Sequence, residues 1–318
     1  MFRTLLAATA MIAVATPLAA APVRHRTMLA RGSASLPASN PFAAASTLPF
    51  RAPDFSRIKD SDYLPAFLAG MAQQKAEILA IATQQAVPTF DNTLGAMERS
   101  GLLLERAQLA FSAVSGANTN PALDAVDTKT SPLLAAHNDF IYLNAKLFQR
   151  VKSLHDRQAS LGLNAEQARL LEVQYNRFVH SGALLSPAKQ AELKALNLRI
   201  GTLQTAFGQK LLAATKEGAL HVTDKAALAG LSDEDIAAAA EAAKARKLDG
   251  YLIPLQNTTQ QPQLASLTNR ATREALFKAS IDRASHGGAN DTRPLISEIA
   301  QLRAKQAALL GYKNYSDY

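Results

Sequence analysis

An almost entirely helical fold with one short strand or hairpin is what these 318 residues predict. Three observations carry that reading. Apolar residues recur at three-to-four spacing over most of the chain, Ser or Asn opens several of those runs, and glycine closes them. Only one short segment, Tyr251-Leu252-Ile253-Pro254-Leu255, reads as strand, and Pro254 marks it as an edge strand.

The chain divides into three parts. Arg3, the uncharged run Leu5 to Thr16 and the small residues Ala19-Ala20-Ala21 follow the order of a secretory signal peptide over residues 1–21. The apolar run is too short to span a bilayer as a helix, so no stable membrane anchor is expected. Residues 22–53 are rich in Pro, Ser and Ala and read as an extended leader. Residues 54–318 carry the helical periodicity.

The helices follow in order. Leu64, Phe67, Leu68, Met71, Ile78 and Leu79 form one face of the first. Leu94, Met97, Gly101, Leu104, Gln108 and Phe111 repeat as the face of a second, and Asn120-Pro121 opens a third. Asn164 with Gln167 is a capping box, and Gly182 ends that helix after Phe178 and Val179. Ser186-Pro187 starts a long helix whose narrow seam is Leu193, Leu196, Ile200, Leu203 and Phe207. Ser232 caps an Ala-rich helix toward Lys247, and Asp233-Glu234-Asp235 complements its dipole. Three further helical stretches follow the strand, with Gly287-Gly288 in a loop and Gly311 stopping the last.

Composition excludes whole classes of chemistry. Without cysteine there are no disulfides, thiolate nucleophiles or Cys-based metal sites. The 34 basic and 26 acidic residues leave +8, but residues 1–32 contribute four arginines and no acid. The remaining charge is dispersed without a basic block, which argues against a nucleic-acid surface. No two of the six histidines stand three to five residues apart, and none is followed by glutamate, so no H-E-x-x-H helix is present. His137 near Asp139, and His155 beside Asp156, lack a third ligand and read as surface or capping histidines. The motifs G-x-G-x-x-G, G-x-x-x-x-G-K-[ST] and G-x-S-x-G are also missing. The most unusual local feature is the amide-rich run from Gln256 to Pro262. Its composition favours an ordinary polar loop, while its donors and acceptors suit an extended peptide.

Several stretches together resemble the thimet oligopeptidase family of zinc metallopeptidases, in its bacterial peptidyl-dipeptidase (dipeptidyl carboxypeptidase) branch. They include Asn40-Pro41-Phe42, Leu48-Pro49-Phe50, Ile58-Lys59-Asp60-Ser61-Asp62-Tyr63 and Pro88-Thr89-Phe90-Asp91-Asn92-Thr93. Met97-Glu98-Arg99-Ser100-Gly101, Ser115-Gly116-Ala117-Asn118-Thr119-Asn120 and Gly182-Ala183-Leu184-Leu185-Ser186 continue the match. Leu255 to Pro262 and Leu309-Leu310-Gly311-Tyr312 before Asn314-Tyr315 complete it.

The resemblance implies a two-lobed helical peptidase with a deep channel for short unfolded oligopeptides, monomeric when complete. It implies one zinc ion on an H-E-x-x-H helix with a distal glutamate, and release of dipeptides from peptide C-termini. This sequence reaches Tyr318 before any position matching that helix, so no catalytic residue and no metal ligand is carried over. It therefore reads as the N-terminal helical lobe without the catalytic half, exported to the periplasm and inactive alone. The alternative is a free-standing periplasmic helical protein that binds peptides or other partners. For the turn, the resemblance implies that Gln256, Asn257, Thr258, Gln260 and Gln261 stand on the channel wall. It also implies that the apolar seams Leu193–Phe207 and Leu295–Leu309 lack partners in this chain.

Overall fold

The structure, a computed structural model, describes residues 36–256 and 261–318. The signal-peptide segment and residues 22–35 lie outside the described residues. Among the described residues no helix is long and apolar enough to cross a membrane.

The far end of the segment read as an extended leader is folded. Asn40 is buried, donating from Nδ2 to the Asp62 carbonyl at 3.0 Å and accepting the Phe42 N–H at 2.9 Å. That turn drives the Phe42 ring into the core, 5.4 Å from Tyr63.

Helix α1 spans Asp60–Thr83 and is the axis on which the next helices pack. Its buried face differs from the expected one: Leu68 and Leu79 are 42% and 45% exposed, whereas Ala66 and Gly70 are buried. The reason is close approach. A Cβ on Gly70 would sit 2.8 Å from the Leu104 Cα, so small residues, not the largest apolar ones, mark the contact.

The repeat from Leu94 to Phe111 does bury its apolar residues, but it is not one helix. A π-helical turn at Asp91–Gly95 runs into the short α2, Ala96–Glu98, and α3 begins afresh at Leu102–Ala117. The break is Gly101, whose φ of 75° costs L side chains strain and whose N–H donates to Glu77 Oε2 at 2.8 Å. Helix α4, Pro121–Tyr142, is capped by Asn120, which also donates to Asp60 at the start of α1. Helices α5, Ala145–Asp156, and α6, Ala165–His180, follow with Asn144 and Asn164 as caps. Tyr63, Phe67 and Phe111 lock one core edge to face; in the other, Tyr142 meets Phe178 edge to face and Phe148 stacks on Phe178.

Helix α7, Pro187–Glu217, is capped by Ser186 as expected, and its 31 residues lie against α4. Only Leu193, Ile200 and Leu203 of the seam are fully buried; Leu196 and Phe207 are half-buried. Polar ties fill the rest of that interface, with Thr205 Oγ1 donating to Ser131 Oγ and Gln209 Nε2 to Thr128 Oγ1, both at 2.8 Å.

The remaining elements are β1, Leu220–Val222; α8, Asp233–Ala245; β2, Tyr251–Ile253; α9, Gln263–Ser266; α10, Arg270–Ile281; and α11, Arg293–Leu309. The strand expected at Tyr251 has a partner: β1 pairs antiparallel with it, Leu220 opposite Ile253 and Val222 opposite Tyr251. Three residues with a histidine in the middle give too little alternation to announce a strand. Leu228, Ala239, Ile253, Leu255, Leu267 and Leu276 form the small core under this hairpin. Helix α11 packs against α7. The seams expected to lack partners are buried in part, at Leu193, Ile200, Leu203 and Ile299, with Leu295, Leu302 and Leu309 half-buried.

Candidate functional site

The amide-rich turn begins at Gln256, three residues after β2 ends, and re-enters described structure at Gln261. Gln261 is 2% exposed and works inward. Its Oε1 accepts the Gln256 N–H at 2.7 Å, and its Nε2 donates to Ser280 Oγ on α10 at 3.0 Å. Gln261 thus pins the base of the loop, and Gln256 is exposed beside it. Asn257, Thr258 and Gln260 lie outside the described residues.

The histidines do not assemble. His137, expected at the surface, is 4% exposed within α4. Its Nε2–H donates to Gln74 Oε1 of α1 at 2.7 Å, while Nδ1 has no hydrogen-bond partner. Burial, aided by the nearby Lys75 charge, pushes its pKa down to about 4, so the ring is neutral. Asp139 serves a separate contact. Its Oδ1 accepts from Asn197 Nδ2 at 2.8 Å, Asn197 Oδ1 accepts from Gln306 at 2.7 Å, and burial raises the carboxyl despite the Asn197 bond. His155 stacks on Tyr175 with ring centres 3.8 Å apart, and Asp156 accepts from Lys152 at 2.6 Å. Asp233, Glu234 and Asp235 occupy the first turn of α8, as expected.

Among the described residues no group of three or more His, Asp or Glu is placed to hold a metal ion. No metal-dependent step is assigned to the described residues.

A different arrangement was missed by motif reasoning. A cavity of about 250 Å³ opens between α1, α2, α3, α4 and α6. Its walls include Glu98, Tyr142, Gln174 and Arg177. Gln174, 7% exposed, donates from Nε2 to Glu98 Oε1 at 2.7 Å, and its Oε1 has no partner. The Arg177 guanidinium lies 5.0 Å from the centre of the Tyr142 ring. Burial chiefly raises the Tyr142 hydroxyl, Arg177 opposes that shift and Glu98 adds to it, so both charges act on this one phenol. A sequence signal existed: Gln174 interrupts the buried stripe of Leu171 and Phe178 at helical spacing.

Known proteins resemble this chain along most of its length. Residues 263–318 match the model of peptidase family M3. The dipeptidyl carboxypeptidase of Escherichia coli (strain K12) is 50% identical over 278 residues, 87% of this chain and 41% of that protein. The dipeptidyl carboxypeptidase of Salmonella typhimurium is 48% identical over 87% of this chain and 41% of its own length. Oligopeptidase A of Salmonella typhimurium is 28% identical over 84% of this chain and 40% of its length. The chain thus spans about two fifths of the length of these relatives. By this likeness the chain resembles peptidase family M3 and, within it, the dipeptidyl carboxypeptidases, over the part of them that it spans.

Proposed function

We propose that this chain supplies the N-terminal helical part of an exported, zinc-dependent peptidyl-dipeptidase. The intact enzyme removes dipeptides from the C-termini of short, unfolded oligopeptides, and this part forms one wall of the channel that admits them. The observation that carries the reading is the 50% identity, sustained over 278 residues, to a dipeptidyl carboxypeptidase. Hydrolysis is assigned to residues this sequence does not contain, since it has no H-E-x-x-H. The chain's own contribution is positioning: Gln261 and Ser280 fix the base of the Gln256–Pro262 loop, and the helices behind it give the wall rigidity.

A chimaera tests this reading. The aligned part of the Escherichia coli enzyme is replaced by residues 36–318, and C-terminal dipeptide release is followed with and without a chelator. Chelator-sensitive release from the chimaera supports the proposal. A folded, zinc-loaded chimaera that releases single amino acids or cleaves only internal bonds contradicts it. Export is tested separately by sequencing the N-terminus of the protein recovered from the periplasm; an intact Met1 in the cytoplasmic fraction alone argues against it.

A further inference from the structure

The cavity bounded by Glu98, Tyr142, Gln174 and Arg177 has the features of a receptor for a small molecule carrying both charges. Glu98 and Arg177 line the same space, yet neither takes part in an ion pair within 4.0 Å among the described residues. Each charge is nevertheless held in place. Gln174 Nε2 fixes one carboxylate oxygen of Glu98 and leaves the other to a ligand, and the Tyr142 ring supports the Arg177 guanidinium. Gln174 brings a second acceptor, Oε1, which has no partner although the side chain is more than nine-tenths buried. A buried amide oxygen left unpaired costs about 1–3 kcal/mol, which is why such atoms ordinarily have a partner.

The charges on the walls, with Glu105 a second carboxylate in addition to Glu98, set the ligand class. Acceptors at Glu98 and Gln174 suit an ammonium, and the guanidinium of Arg177 suits a carboxylate. The volume, about 250 Å³, lies just below the roughly 300–1,000 Å³ of pockets for drug-sized ligands, so the ligand is small. We propose that this cavity binds a small α-amino zwitterion, a free amino acid or dipeptide, with its ammonium on Glu98 and Gln174 and its carboxylate on Arg177. This inference stands apart from the peptidase reading, because the chimaera assay measures bond cleavage and not occupancy of this cavity.

Titration calorimetry and amide NMR on the purified chain test it, with alanine and alanyl-alanine as probes. The expected result is saturable one-to-one binding, with Kd of about 0.1–1 mM for a ligand of this size. N-acetylation or C-amidation of the probe is expected to weaken binding at least about tenfold each. Glu98→Gln should mimic the loss seen on N-acetylation, and Arg177→Gln the loss seen on C-amidation. Absence of saturation, or equal affinity for free and blocked probes, overturns the proposal. Because the blocked probes are read on the unsubstituted chain, that outcome does not depend on whether any variant folds. Tighter binding of alanyl-alanine than of alanine selects the dipeptide, and the reverse selects the amino acid.

Discussion

Helices α1–α6 and helices α7–α11 use the same kind of sequence in two different ways. The first group packs side chains of unequal size into each other. α5 buries five of its twelve residues, and Tyr63, Phe67, Phe111, Tyr142, Phe148 and Phe178 interlock as rings. The second group leans on polar contacts. α7 buries four of 31 residues and α11 two of 17. Apolar periodicity alone does not separate these cases, because both groups show it. What separates them is whether a complementary surface, often small residues such as Ala66 and Gly70, meets the stripe. Local stability should follow that difference, with the second group nearer the low end.

A graded series of substitutions puts the contrast to the test. Phe178→Ala empties a fully buried site between Tyr142 and Phe148 and should lower stability by about 3–5 kcal/mol. Leu203→Ala in α7 should cost about 2 kcal/mol, near the foot of the range for such truncations, because its neighbours are half-solvated. Urea midpoints measure both; equal losses would erase the contrast.

His137 comes next. The folded state holds it neutral, with its pKa down to about 4 against 6.5 for the free side chain. As pH falls, the unfolded chain takes up the proton first. The stabilising contribution is complete above about pH 6.5 and is lost as pH falls to about 4, by up to about 3 kcal/mol. His137→Gln should flatten that part of the stability curve, and a curve unchanged by the substitution would show that another group dominates.

Gly101→Ala imposes an L side chain at φ 75° and places its Cβ 2.2 Å from the Gln74 amide. The expected loss is about 1–3 kcal/mol, with the His137 ring signals shifting because Gln74 holds that imidazole. Smallest of all is Arg199→Ala. The Arg199–Glu298 pair joins α7 to α11, but both side chains are exposed, so a thermal melt should barely move and less still in high salt. A large loss there would mean that the second group depends on charge more than on its thin apolar seam.

Local chemistry was legible from the sequence, and long-range geometry was not. Asn120, Asn164, Ser186 and Ser232 cap the helices expected of them, since an N-cap needs only its own next three residues. The break at Gly101 depends on Glu77, 24 positions earlier, and the pairing of β1 with β2 joins segments some thirty residues apart. In the candidate sites the same division holds. The amide-rich turn stood out by composition, yet the role of Gln261 is set by Ser280, 19 residues further on. The cavity gave one local sign, Gln174 amid Leu171 and Phe178; its opposing charges come from two helices far apart in sequence.

What most needs testing is the proposal that this chain shapes a peptidase without carrying its catalytic metal. Zinc content and dipeptide release by the purified chain, with and without chelator, answer that question. The expected result is no stoichiometric zinc and no release of dipeptides from an oligopeptide. Chelator-sensitive release by this chain alone would contradict it.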